Sequence, residues 1–164
     1  MRILGLDPGL KHTGWGVVDN ISNRLSYVAS GVITSDDKLD LAQRIAVLHN
    51  GIIGVIKVHS PDEAAIEETF VNKNPLTTLR LGQARGAVLL APALMELPVY
   101  EYSPNLIKKT VVGTGHAEKQ QIQAMIKILL PKASEKNADA NDALAVAICH
   151  AYNALNRKLK GLIK

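Results

Sequence analysis

The chain has 164 residues, 47% of them apolar and 21% charged, with a formal net charge of +4. This fits one domain of ordinary size with enough apolar residues for a core, and excludes a disordered chain. The single cysteine, Cys149, excludes an intrachain disulfide and makes a reducing, cytoplasmic setting the expectation. No apolar run is expected to reach the roughly 18–20 residues of a membrane span. Asp7 also interrupts the apolar start too early for a signal peptide, so no membrane partner is expected.

Arg2 to Leu6 is short, apolar and stopped by Asp7-Pro8-Gly9, which predicts a buried strand ending in a tight turn. Residues 12–19 and 25–33 predict two further strands, with turn chemistry in Asp19-Asn20 and Ser22-Asn23. The three together predict an antiparallel meander. From Asp40 to about His59 the period changes, and Leu41, Ile45, Leu48, Ile52 and Ile56 recur at helical spacing until Ser60-Pro61. Ala64-Ala65-Ile66 predicts a central strand running into Glu67. Leu76 to about Leu97 predicts a helix kinked or broken at Pro92, and Val99 to Tyr102 another strand. Residues 104–112 and 118–130 predict helices split by Gly113-Thr114-Gly115, and Asn137 is the expected N-cap of a last helix to about Leu155. The order predicts an α/β fold, a mixed sheet with helices on both faces. A single domain over residues 1–155 and a basic tail over 156–164 are expected.

Charge is unevenly placed. Residues 103–136 carry six lysines against two glutamates, and residues 156–164 carry four cations and no acid. A basic segment beside isolated carboxylates points to a polyanionic partner, although lysines also simply solvate an outer face. Four carboxylates stand in apolar or glycine-rich surroundings: Asp7, Glu67, and Asp139 with Asp142. The last two are spaced i, i+3 and so share one helix face. Singly, each has an ordinary explanation. Acids in the first turns of a helix favour its macrodipole, Asp7 suits an Asp-Pro-Gly turn, and Glu67 could be a solvated loop charge. Together they suggest more, because the strand ends carrying Asp7 and Glu67 are where sites form in such sheets. Converging carboxylates repel unless a divalent cation joins them. Mg²⁺ takes oxygen ligands, and a pair of such ions can activate water and stabilise the leaving oxygen of a phosphodiester.

Other signals are weaker. "GTGHAEK" lacks the spacing of a nucleotide-binding loop, although a glycine-rich loop before a helix can still hold a DNA phosphate. The five histidines show no zinc spacing, and Cys149 lies among apolar helix residues. Phe70 sits in polar "ETFVNKN", where it could stack on an unpaired base or anchor the loop on the core.

The segments "GLDPGLKHTGWG", "AIEETFVNKN", "LRLGQARG", "VYEYSPNLIKKTVVGTGHAEKQQI" and "NADANDALAVAICHA" resemble, in order and spacing, the successive blocks of the RuvC family of bacterial Holliday junction resolvases. The resemblance covers about residues 2–155. It implies a ribonuclease H-like fold and a homodimer that makes paired, symmetric nicks in four-way junction DNA. It further implies metal-binding catalytic acids at Asp7, Glu67, Asp139 and Asp142. Two Mg²⁺ ions per site are implied, with Mn²⁺ able to substitute. Lys108 and Lys119 match functional lysines that contact DNA or support the transition state. Phe70 matches an aromatic that stacks at the junction centre, and residues 72–90 match a dimer-interface helix. The implied partners are the branch-migration proteins RuvA and RuvB. Trp15 stands where many relatives have Tyr, and some have His at the position of Asp139. Two rivals stand beside this reading: a ribonuclease acting on RNA–DNA hybrids, and a module that binds junctions without cutting them. An actin-like phosphotransferase would need a second related domain.

Overall fold

Short apolar runs build the central strands, and side-chain caps start the helices. The computed structural model describes residues 1–68, 74–133 and 137–161. Strands β1 (Arg2–Asp7), β2 (His12–Ile21) and β3 (Arg24–Thr34) form the expected antiparallel meander. Ser22 and Asn23 make the β2–β3 turn with positive φ of 49° and 65°, the left-handed pair that suits a tight hairpin. Asp19 and Asn20, expected in a turn, instead continue β2 and pair with Ser26 and Leu25. Helix α1 (Leu41–His59) leads to β4 (Glu63–Glu67), and α2 (Pro75–Leu94) leads to β5 (Val99–Tyr102). The sheet order is β3-β2-β1-β4-β5, with β4 parallel to both β1 and β5. Helices α3 (Pro104–Val112), α4 (Lys119–Leu129) and α5 (Ala138–Gly161) complete the fold.

The period-two rule divides β1 and β4 between two cores. Leu4, Leu6, Ala64 and Ile66 pack with Ile52, Ile56 and Val88 beneath α1 and α2. Ile3 and Ala65 pack on the other face with α5 residues such as Leu144 and Ile148. By the same alternation, Gly5 and Asp7 share the face of Ile3, and Glu63 and Glu67 share that of Ala65. Burial of α5 is nearly complete from Ala143 through Ala151, as a helix apolar around its girth demands.

Two boundaries differ from expectation. The α2 helix includes Pro92 but stops at Leu94, where Glu96 takes a φ of 58°. Helix α5 continues past Leu155 to Gly161. Helix α1 also corrects the membrane argument, since by length and composition it is long and apolar enough to cross a bilayer. Arg44, Asn50 and Lys57 interrupt its apolar run, and Leu48, Ile52 and Ile56 are buried.

Candidate active site

Asp7 and Glu67 are the last residues of the parallel strands β1 and β4, so the strand ends deliver them side by side. Asp139 and Asp142 come from the first turns of α5. Asn137 caps that helix as expected, accepting from the Asp139 and Ala140 amides at 2.9 and 3.4 Å. All four acids line one cavity of about 350 Å³, with Lys108 and Lys119 and the apolar residues Pro104, Ile107, Ile122 and Ala145. Lys108 lies on α3, which Ser103 caps and Pro104 begins. Lys119 is the first residue of α4, held by a capping box between Glu118 and Gln121. Its Nζ lies 3.5 Å from Asp142 Oδ2.

The acids are electrostatically uncomfortable. Burial first, then the charges of Glu67, Asp142 and Asp139, push Asp7 up to about 8, against the pull of Lys119. Burial and Asp142 push Glu67 up to about 7, opposed by Lys108 and Lys119. Burial raises Asp142 above the usual carboxylate range, despite Lys119 beside it. Among the described residues, no three His, Cys, Asp or Glu side chains are gathered tightly enough to hold an ion as they stand. The donor set nonetheless fits a hard divalent cation, since every acid offers oxygen and mutual repulsion is what such an ion relieves.

Close packing fixes where α5 begins. A Cβ at Gly14 would lie 2.0 Å from the Asp139 carbonyl oxygen, and one at Gly5 would lie 2.1 Å from that of Ala143. Only glycine lets the helix approach the sheet this closely. Sequence reasoning missed this role; its signal was small residues alternating on one face, at 14 and 16 in β2 and at 5 in β1. It also missed the clamp on the loop after Asp7. Buried Thr13 donates from Oγ1 to the Gly9 carbonyl at 2.8 Å, and buried Ser35 donates from Oγ to that of Leu10 at 2.5 Å. Six of the seven expected site residues thus meet in one cavity; Phe70 lies outside the described residues.

Residues 3–150 match the family model for crossover junction endodeoxyribonuclease RuvC. The chain is 56% identical over 163 residues to the crossover junction endodeoxyribonuclease RuvC of Agrobacterium fabrum, covering 99% of this chain and 96% of that one. It is 62% identical over 152 residues to the protein of the same name from Rhodospirillum rubrum, covering 93% and 90%. Among solved structures, Thermus thermophilus RuvC in complex with Holliday junction substrate superposes with a TM-score of 0.87 at 31% identity, over 94% of each chain. The mixed five-stranded sheet is therefore ribonuclease H-like, and the chain belongs to the RuvC family of crossover junction endodeoxyribonucleases.

Proposed function

We propose that this protein is a metal-dependent, structure-selective DNA endonuclease that resolves four-way (Holliday) junctions by paired symmetric nicks, in homologous recombination and DNA repair. The observation that carries the reading is one cavity in which four carboxylates and two lysines meet, in a chain of this family. In this reading Asp7, Glu67, Asp139 and Asp142 hold Mg²⁺, two ions per site, with Mn²⁺ able to substitute. The oxygen-only donors and the raised carboxyl pKa values support it. When bound, the ions supply the Lewis acidity that makes water nucleophilic and stabilises the leaving 3′-oxygen. The protein's own groups do the rest. Glycine packing and the Asn137 cap fix the two α5 acids, and strand ends fix the other two. Lys119, on the rim and exposed, meets the charge that builds on the scissile phosphate, and Lys108 holds the backbone alongside. Phe70 is assigned to base stacking at the junction centre.

Paired nicks need two sites, and the surface of α2 supports a homodimer. Leu76, Leu79, Leu90 and Leu94 are at least half exposed. Leu90 and Leu94 also line a shallow apolar groove of about 440 Å³ against α1. RuvA and RuvB as partners, and a cytoplasmic location, belong to the same proposal.

The test is a labelled four-way junction, a linear duplex and an RNA–DNA hybrid, each with Mg²⁺ and with EDTA. Paired nicks in the junction alone, dependent on Mg²⁺, are expected. Junction binding with no nick would identify a binding module, and faster hybrid cleavage a ribonuclease.

A further inference from the structure

A second polar cluster lies on the same sheet face as the acids, at the other end of β4 and midway along α5. His150 is fully buried, yet its ring is fully engaged. Its Nε2 lies 2.6 Å from Glu63 Oε2 and, in the Nε2–H tautomer, donates to it. Its Nδ1 meets Tyr102 Oη at 2.8 Å, taking the phenolic proton when the ring is neutral. Tyr100 lies against the ring with centroids 4.7 Å apart, and Tyr102 meets it edge-on at 5.7 Å. His150 thereby ties α5 to the start of β4 and to both tyrosines of β5.

The spacing links this cluster to the active site. Glu63 and Glu67 lie on one face of β4, four residues or about 13 Å apart. Asp142 and His150 lie eight residues apart on α5, about 12 Å along the helix. Strand and helix run antiparallel, with Glu67 and Asp142 at the cavity and Glu63 and His150 bonded at the far end. The two lengths match, so the far bond can add to the glycine packing in holding the register of α5 along β4, and with it the separation of Glu67 from Asp142. Tyr102 closes the frame, standing opposite Glu67 in the sheet and accepting at its carbonyl from the Glu68 amide at 2.9 Å. The near end needs such a pin, because its acids repel one another.

The geometry points to His150, through Glu63 and Tyr102, as a positioning residue that holds Asp142 at metal-binding distance from Glu67. The inference rests on the proposed role of those acids. The test uses the full chain and the variants His150→Phe and Glu63→Gln. Three readings are taken: Mn²⁺ affinity of the metal-free protein by calorimetry, junction affinity in EDTA, and the single-turnover nicking rate at saturating Mg²⁺.

A misplacement of an ångström at a reacting centre can cost about 100-fold, so His150→Phe should slow nicking by about 10–100-fold. It should weaken Mn²⁺ binding several-fold and leave junction affinity in EDTA unchanged. Glu63→Gln, whose amide oxygen still accepts from Nε2–H, should retain most of both. Wild-type Mn²⁺ affinity and nicking in His150→Phe would overturn the inference. So would loss of junction affinity in step with the rest, which marks a merely structural role. Should His150→Phe fail to fold, Glu63→Leu, which removes the same bond from the strand side, carries the same test, with the same loss of Mn²⁺ affinity expected and its absence contradicting the inference. A wild-type protein that binds Mn²⁺ but nicks no junction would refute the function reading instead, and the calorimetry would still decide this one.

Discussion

Helix α5 and strand β4 meet twice, and the two meetings are built on opposite principles. At one end Glu67 and Asp142, with Asp7 and Asp139, gather like charges that burial makes worse. At the other end Glu63, His150 and Tyr102 satisfy one another in hydrogen bonds of 2.6 and 2.8 Å. The comparison teaches where strain sits in this molecule. The far end and the apolar body of α5 hold the helix in place, and the near end uses that rigidity to keep four repelling acids together.

The comparison is broken most severely at the charged end. Glu67→Gln removes a proposed ligand and should lower junction nicking at least about 1,000-fold, with binding in EDTA retained. Gly14→Ala attacks the packing instead. Its methyl would meet the Asp139 carbonyl at 2.0 Å, displacing the start of α5. A loss of about 2–4 kcal/mol in urea unfolding is expected. Lys119→Met should slow nicking about 100-fold at saturating Mg²⁺ while shifting junction affinity little.

The acids also predict a pH dependence. Asp7 has a folded pKa of about 8 against an ordinary value of 3.8, so the folded state holds its proton more tightly. Its contribution to stability is complete below 3.8 and lost as pH rises through about 8. Glu67 acts in the same direction up to about 7. Metal-free protein should therefore lose on the order of 4 kcal/mol or more between pH 5 and pH 8.5, by thermal or urea unfolding. Mg²⁺ should restore much of it at the upper end. Unchanged stability across that range would show that the acids are not held against repulsion. The smallest effect concerns the α5 cap: Asn137→Ala should cost about 1 kcal/mol.

Much of this was legible from residue order. Strand β1 announced itself by a short apolar run before Asp-Pro-Gly, and α5 by Asn137 and a long apolar stretch. The i, i+3 spacing of Asp139 and Asp142 placed both acids on one helix face, and both reach the cavity. What sequence could not show was distance between elements. The role of the glycines of β1 and β2 shows only once α5 is seen lying on them. His150, one of five histidines without metal spacing, gained meaning only when Glu63, 87 positions earlier, was found 2.6 Å away. Asp19-Asn20 misled because turn propensity yielded to strand pairing with β3. The missed glycines and the misplaced turn both lie where contact between elements outweighs local preference.

The most direct test of the account is junction cleavage by Asp7→Asn beside the wild type, with binding measured in EDTA. The account predicts wild-type junction affinity, loss of nicking by at least about 1,000-fold, and no rescue by added Mg²⁺. Nicking at the wild-type rate would contradict the assignment of Asp7, and with it the proposal that this cavity is where the phosphodiester is cut.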